Sequence, residues 1–341
     1  MGEKSKMKRL IAAVVASAMV LSLVGCGETS SAPKTVLSIG YTTASNPNDP
    51  YALTAQKFKE VVEEKTQGRI TVNDYPSSQL GSEPEMWEGM QIGTCDMAVM
   101  TNAYVSTYVL ANGALDLPFI FSDCQQARKI LDGDYGQKLA KNVESAGVTV
   151  LGWSEGGFRQ LATGKRSIKE PSDLAGMKIR CMETKTYLAA YAALGVNATP
   201  MAWSEVLTAL QQGTIDGCDA PLSVLYTNGF PDVSKYINNV NLFYSPLPIC
   251  ISSRVLESFS EEDQQIIREA AQEAVATVRK NNDDSAETME KDLTSKGMTI
   301  VPTSEVDSKA FQEVAKPVYQ KMESYIGGTW VSDLEKEVES K

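Results

Sequence analysis

Residues 176–219, GMKIRCMETKTYLAAYAALGVNATPMAWSEVLTALQQGTIDGCD, alternate between short apolar runs and longer stretches with helical spacing. This spacing predicts strands at 176–182, 196–200 and 214–219, and helices at 184–194 and 203–212. Strands that alternate with helices indicate an α/β fold. Arg180 stands where the first apolar run should continue. A guanidinium is almost never buried unless it is paired, so Arg180 needs an anionic partner, either from the protein or from outside.

The same alternation extends over the rest of the chain. Further strands are predicted at 36–41, 70–75, 95–101, 148–153, 237–243 and 247–252, and further helices from about 51 and at 83–92, 123–145, 221–229 and 311–326. The pattern from 260 to 296 predicts one helix of about 35 residues, some 50 Å long. It begins Ser260-Glu261-Glu262-Asp263, which is typical of a capped helix start with acids in the first turn. A helix of that length can span two lobes.

The N-terminal 25 residues have the composition of an export signal. Four basic residues within positions 4–9 precede the uncharged stretch Leu10–Val24. Its length falls short of the roughly 20 residues that a membrane span needs, so the segment is predicted to be a secretory signal peptide rather than the alternative, an uncleaved anchor helix. The sequence Leu23-Val24-Gly25-Cys26 resembles the lipobox of bacterial lipoproteins, which implies that Cys26 is acylated. Residues 26–35 would then form a lipid-anchored tether.

Charge and composition exclude several classes of function. The chain has 341 residues, a formal net charge of −11 and no histidine. Removing residues 1–25 takes away four basic and one acidic residue and leaves −14, which argues against a nucleic-acid partner. The lack of histidine excludes Ser-His-Asp and Cys-His nucleophiles and the H-E-x-x-H zinc motif. Because the phosphate-binding and dinucleotide-binding glycine motifs are missing too, no catalytic residue, cofactor or metal is predicted.

Five cysteines follow Cys26, an odd number without a C-x-x-C motif. Cys95, Cys181 and Cys250 lie within apolar runs, and we expect them to be buried small hydrophobic side chains rather than metal ligands or disulfide partners.

Three segments together resemble a known family. They are YPSSQLGSE at 75–83, GFRQ at 157–160 followed by DLAGMKIR at 173–180, and TPMAWSEV at 199–206 followed by ALQQG at 209–213 and IDG at 215–217. This combination resembles the extracytoplasmic solute-binding proteins of tripartite ATP-independent periplasmic (TRAP) transporters, of the dicarboxylate-binding type. The resemblance implies an α/β, periplasmic-binding-protein-like fold. Two lobes would be joined by hinge strands, with the ligand between them and a long late helix spanning both.

Domain boundaries follow from this resemblance. Lobe 1 is predicted at 36–158, completed by parts of 250–330, and lobe 2 at 159–249. The spanning helix is predicted at 260–296, and a C-terminal helical segment at 305–341.

The resemblance also implies a ligand site. Arg180 would form a two-toothed salt bridge with a ligand carboxylate, since a guanidinium offers parallel N–H donors that match a carboxylate. The alternative for Arg180 is an internal pair with Glu183 or Glu155. The remaining ligand-binding residues predicted are Arg159, Trp203, Glu83, Asn48 and Asp219. Arg159 could instead be a solvated loop arginine, and Trp203 could simply pack at a helix start.

One position departs from the family pattern. The family commonly reads Asp-Gly-Gln-Glu-Asn-Pro where this chain has Asp216-Gly217-Cys218-Asp219-Ala220-Pro221. The asparagine that often binds the ligand is therefore Ala220. This change implies a less polar ligand than sialic acid, such as a monocarboxylate, an aromatic acid or a branched-chain keto acid.

The expected function is capture of a small organic acid and its delivery to the TRAP permease subunits in the membrane, without a cofactor or a nucleic acid. Acylation at Cys26 would hold the protein on the outer face of the cytoplasmic membrane. Two other functions stay open at this point. The chain could be a ligand-sensing lipoprotein, or an exported enzyme that uses the carboxylate of Glu83 or Asp219 as a base.

Overall fold

One long strand, β4 (Val148–Thr163), runs through the centre of the fold. The structure is a computed structural model that describes residues 35–340; the predicted signal peptide and most of the predicted tether lie outside these residues. The other strands are β1 (Thr35–Gly40), β2 (Ile70–Tyr75), β3 (Met97–Val99), β5 (Lys178–Cys181), β6 (Asn197–Pro200), β7 (Gly217–Pro221), β8 (Tyr236–Asn238), β9 (Tyr244–Ser252) and β10 (Thr299–Val301).

Helices connect these strands in the described residues, as the sequence predicts for an α/β fold. They are α1 (Pro50–Lys65), α2 (Glu83–Ile92), α3 (Asn102–Tyr108), α4 (Cys124–Asp132), α5 (Asp134–Glu144), α6 (Lys185–Ala193), α7 (Trp203–Gln211), α8 (Leu222–Thr227), α9 (Ser253–Glu257), α10 (Glu261–Ser295), α11 (Ser308–Ile326) and α12 (Trp330–Ser340). No helix among residues 35–340 combines the length and the apolar character needed to cross a membrane.

The sheet has two halves that share β4. Its main strand order is β2-β1-β3-β9-β4-β7-β5-β6. The first half consists of β1, β2, β3, β9 and residues 148–158 of β4, which pair antiparallel with β9 as far as Phe158. The second half consists of β5, β6, β7, β8, β10 and residues 159–163, which pair antiparallel with β7 from Arg159 onward. The predicted lobe boundary at 158/159 coincides with this change of partner, and the lobes themselves stay a prediction.

The change of partner accompanies an irregularity in β4. The register against β9 shifts between Glu155 and Gly157, and Gly157 has a φ of +80°, which side-chain-bearing residues rarely adopt. A side chain at Gly156 would meet the Pro221 ring at 2.5 Å. The sequence predicted a strand only at 148–153, because two glycines and two charged residues interrupt the pattern beyond it. That prediction was too short: β4 continues because its charged side chains are buried in ion pairs.

The long helix α10 spans both halves, as predicted. It has 35 residues, and the Ser260 side chain caps it by accepting a hydrogen bond from the Asp263 amide. Near its start, Asp263 pairs with Arg69, which precedes β2 in the first half. Near its end, Glu290 accepts a hydrogen bond from Asn239, which follows β8 in the second half. Its buried stripe consists mainly of alanine and branched residues, so neighbouring elements can approach closely.

Two smaller predictions need comment. The helix predicted at 123–145 is two helices, because the chain is extended at Gly133, which ends α4 and caps α5. The cysteine prediction is confirmed. Cys95, Cys181 and Cys250 are at most 3% exposed, and all five cysteines of the described residues are free thiols.

Candidate functional site

The candidate site lies where the parallel strands of both halves end. Ligands of open α/β sheets bind outside the carboxyl ends of the strands, and the residues that follow β1, β3, β5, β6 and β7 meet here. They enclose a small cavity of about 20 Å³, little more than one water molecule requires. The two halves are therefore closed on each other at this point. The lining residues are Thr42, Thr43, Tyr51, Glu83, Thr101, Tyr104, Arg159, Arg180, Met182, Trp203, Ala220, Pro221 and Val224.

Arg180 is buried in the wall of this cavity without a carboxylate partner. Its side chain is 2% exposed, and it makes no ion pair with any carboxylate of the described residues. Its Nε and Nη2 groups donate to one acceptor, the Met201 carbonyl, at 3.0 and 2.8 Å. A guanidinium has five N–H donors, so most of its donor capacity is left for another acceptor. Its alternative partners from the sequence, Glu183 and Glu155, do not bind it.

Arg159 shares the cavity but is neutralised by the protein. Its Nε donates to the Asp219 carboxylate, and its Nη2 donates to the Asp219 carbonyl at 2.6 Å. Both residues are buried, at 3% and 0% exposure, and β4 and β7 hold them on adjacent strands. Burial opposes the charge of Arg159, but the neighbouring charge of Asp219 outweighs it and raises the pKa of the guanidinium. Arg159 is therefore not the solvated loop residue that the sequence left possible, and Asp219 holds it in place.

Glu83 reaches the cavity from the first half of the sheet. It is the first residue of α2 and is 4% exposed. Its carboxylate accepts from the Thr101 amide at 2.7 Å and from the Thr101 hydroxyl at 2.8 Å. Burial raises the pKa of Glu83 to about 7, while the Thr101 hydrogen bonds and the two arginines lower it. Near neutral pH this carboxyl group therefore exchanges between its charged and neutral forms.

Trp203 lies beside Arg180 in the wall of the cavity. The Arg180 guanidinium carbon is 5.8 Å from the centroid of the Trp203 ring, close enough for a cation–π contact. The Trp203 ring also stacks on Phe230, with the two ring centroids 5.6 Å apart. Trp203 thus serves both as packing at the start of α7 and as a wall of the cavity.

Several lining residues were missed by the sequence analysis. Tyr51 was predicted only to begin a helix, yet its hydroxyl is 2.7 Å from that of Thr101 at the cavity. Thr101 and Tyr104 follow β3, and Thr42 and Thr43 follow β1. A signal was available, because Thr101 ends a predicted strand of a parallel sheet and Thr42, Thr43 and Tyr104 lie within five residues after one.

Two of the predicted ligand-binding residues do not line the cavity: Asp219, which pairs with Arg159, and Asn48. Asn48 is half-buried in the loop before α1, and its backbone amide donates to the Asn46 side chain at 2.9 Å. The neighbouring residue, Asp49, is fully buried and caps α1. The role of Asn48 in ligand binding stays a prediction.

Larger clefts elsewhere are less suited to binding a small acid. A surface cleft of about 620 Å³ beside α5 is lined by exposed lysines and Trp330. A second, of about 360 Å³, contains the buried Arg128, but that guanidinium is fully engaged by Glu155 and Asp283. The described residues contain no cluster of acidic or cysteine side chains suited to a metal ion. The small cavity therefore stands out, because it combines a buried guanidinium lacking a carboxylate partner with groups from both halves.

The charges of the cavity do not balance. Two guanidinium groups face one carboxylate that forms an ion pair, Asp219, and a carboxyl group, Glu83, that is only partly ionised near neutral pH. A buried positive charge without a partner is unfavourable. This arrangement can accept one further negative charge, and the planar donors of Arg180 favour a carboxylate.

Comparison with known proteins identifies the class. Residues 41–325 match the bacterial extracellular solute-binding protein family 7. The chain is 31% identical over 300 residues to the 2,3-diketo-L-gulonate-binding periplasmic protein of Escherichia coli, covering 88% of this chain and 90% of that protein. It is 36% identical over 296 residues to a solute-binding protein of Verminephrobacter eiseniae, covering 87% of each.

Solved structures indicate the same class of protein. A TRAP periplasmic solute-binding protein of Polaromonas sp. JS666, bound to D-erythronate, has a TM-score of 0.84 and 36% identity, covering 88% of this chain and 98% of that one. Another from Roseobacter denitrificans, with bound L-galactonate, has a TM-score of 0.82 and 30% identity, covering 89% and 98%.

The chain belongs to the bacterial extracellular solute-binding protein family 7, the dicarboxylate-binding type of the TRAP transport systems. It is a small-organic-acid-binding protein of the extracytoplasmic space and not an enzyme.

Proposed function

We propose that this protein captures a small hydroxylated monocarboxylate, with Arg180 forming a two-toothed salt bridge to its carboxylate. The observation that carries this proposal is the buried Arg180 guanidinium, which makes no ion pair among the described residues and faces the cavity. The hydroxyl groups of Thr42, Thr43 and Tyr104 in the lining suit a hydroxylated ligand. The acids named for the related structures, erythronate and galactonate, are of this kind.

Ligand exchange in this proposal requires the two halves to separate. The cavity of about 20 Å³ is lined by residues of both halves, so an acid can enter only after the site opens. Arg180 lies in β5 and Trp203 follows β6, both in the second half, whereas Glu83 and Thr101 follow strands of the first half. The site is complete only when the halves are closed, so a bound acid shifts the protein toward the closed form by its differential affinity for that form.

The first prediction concerns ligand class and uses calorimetric titration of the mature protein. We expect binding of D-erythronate and L-galactonate, and no binding of erythritol or galactitol, which share the hydroxyl groups but lack the carboxylate. A branched-chain keto acid and an aromatic acid in the same series test the less polar ligands that Ala220 suggests. Equal binding of the neutral polyols and the acids would remove the role of Arg180 from the proposal.

The same titration should depend on pH. Glu83 has a pKa of about 7 in the ligand-free protein, and a carboxylate bound beside it raises that pKa further. Above pH 7, binding of the acid therefore takes up a proton. The affinity for the acid then falls as the pH rises, by at most about tenfold per pH unit. Below pH 7 the proton is already present and affinity levels off. In Glu83→Gln the affinity should no longer depend on pH. An affinity that rises between pH 7 and 9 in the unaltered protein would contradict the role of Glu83.

Lipid anchoring and delivery to a TRAP permease complete the proposal. They rest on the lipobox-like sequence ending in Cys26 and on membership of a family that works with such permeases. We expect the full-length protein, expressed in a bacterium that processes lipoproteins, to sediment with membranes. Cys26→Ser should move it to the soluble fraction, while Cys124→Ser, at a half-buried thiol of the folded part, should not. Sedimentation of Cys26→Ser with membranes would contradict acylation at this residue.

A further inference from the structure

A buried carboxylate beside the cavity connects the two halves of the sheet. Asp49 lies in the loop that follows β1 and is 0% exposed. One of its oxygens serves the first half: it accepts from the Thr43 hydroxyl at 2.6 Å and from the amides of Tyr51 and Ala52 at 3.0 and 3.2 Å. These contacts cap α1 and fix the loop.

The other oxygen of Asp49 serves the second half. It accepts from the Asn228 amide nitrogen at 2.9 Å and from the Thr227 hydroxyl at 3.1 Å. Both residues stand at the end of α8, which follows β7. The Asn228 side chain also accepts from the Ala44 amide at 3.0 Å. One asparagine therefore donates to and accepts from the same loop of the opposite half.

This contact adjoins the proposed ligand. Thr43 from the loop and Val224 from α8 both line the cavity, so the hydrogen bonds between Asp49 and Asn228 lie along one edge of it. Hydrogen bonds to a charged group are stronger than neutral ones, and a buried carboxylate that loses its donors is costly. Separation of the halves at this edge must break these bonds.

We propose that Asn228 is a positioning residue for ligand retention: with Asp49 it forms a latch that holds the closed form over the bound acid. The ligand itself rests on the proposed function, but the latch does not need contact with it. Its strength acts on opening, so a weaker latch lets the bound acid leave faster.

Asn228→Asp tests the latch most sharply, because it places a carboxylate where Asp49 needs a donor. We expect ligand dissociation, measured by stopped-flow with L-galactonate, to accelerate roughly 10- to 100-fold. The swap Asp49→Asn/Asn228→Asp restores one donor facing one acceptor, and asparagine can still cap α1. We expect this double variant to recover a dissociation rate close to that of the unaltered protein.

Hydrogen exchange of the ligand-free protein provides a readout that needs no acid. Asn228→Asp should speed exchange in peptides covering 44–52, because two facing carboxylates repel each other and loosen the loop, and the swap should slow it again. Peptides covering β9 should not change, whereas general destabilisation would accelerate both. If no acid binds but this exchange pattern appears, the proposed function fails and the latch stands. Unchanged exchange and dissociation in Asn228→Asp, or no recovery in the swap, overturns the latch.

Discussion

Arg180→Ala is expected to abolish measurable acid binding while leaving the fold intact. A two-toothed contact consists of two charge-assisted hydrogen bonds of roughly 1.5–3 kcal/mol each, so affinity should fall about 10²- to 10⁴-fold. The unfolding free energy should change by about 1 kcal/mol or less, because the side chain has only the Met201 carbonyl as a hydrogen-bonding partner among the described residues. Calorimetry with L-galactonate and urea unfolding measure the two quantities.

Two further variants separate geometry from charge. Arg180→Lys keeps the positive charge but replaces the planar fork by a single ammonium group, so it should bind more weakly than the unaltered protein and more tightly than Arg180→Ala. Arg166→Ala is the matched control: this arginine follows β4 on the side of the second half of the sheet, but it contacts Met177 and the Ala175 carbonyl, outside the cavity. Equal affinity in Arg180→Ala and Arg166→Ala would show that the acid is held elsewhere.

Unlike Arg180→Ala, Asp219→Ala is expected to lower the free energy of unfolding strongly. It leaves the Arg159 guanidinium, 3% exposed, without its carboxylate. Breaking a buried ion pair by removing one partner costs about 3–5 kcal/mol. Urea unfolding measures this loss in the ligand-free protein, so no ligand is needed for the test.

A control and a rescue distinguish the buried pair from a general effect. Lys165→Met removes an exposed ion pair with Asp216, near the start of β7, where a change of about 0–1 kcal/mol is expected. The double variant Arg159→Met/Asp219→Leu replaces both charges by apolar side chains and should recover most of the stability lost in Asp219→Ala. A loss below about 1 kcal/mol in Asp219→Ala would mean that Arg159 is not held by this pair.

The sequence predicted the elements of the fold well where periodicity is strong. The helix at 83–92 and the strand at 70–75 have the predicted bounds, and the long helix is 261–295 against a prediction of 260–296. The hydrophobic pattern predicted β4 too short, because Glu155 and Arg159 look like surface residues in the sequence. Their burial depends on Arg128 and Asp219, which lie 27 and 60 positions away. Partners so distant along the chain leave no periodic signal.

Only part of the candidate site was predictable, because contacts between residues far apart along the chain leave no local signal in the sequence. Arg180 drew attention because a charge interrupts an apolar strand, and the structure places it in the cavity. Asn48 was carried over from a resemblance in an irregular loop, where a shift of a few positions alters which side chain faces inward. Asp49 and Asn228 gave no sequence signal at all, because their contact joins residues 179 positions apart.

The pairing between Arg180 and an incoming acid is tested most directly by a crystal structure of the mature protein with D-erythronate. The ligand carboxylate should accept two hydrogen bonds from the Arg180 guanidinium, within about 3 Å, while Arg159 stays on Asp219. An acid bound with its carboxylate on other residues, with Arg180 still donating only to the Met201 carbonyl, would contradict the account.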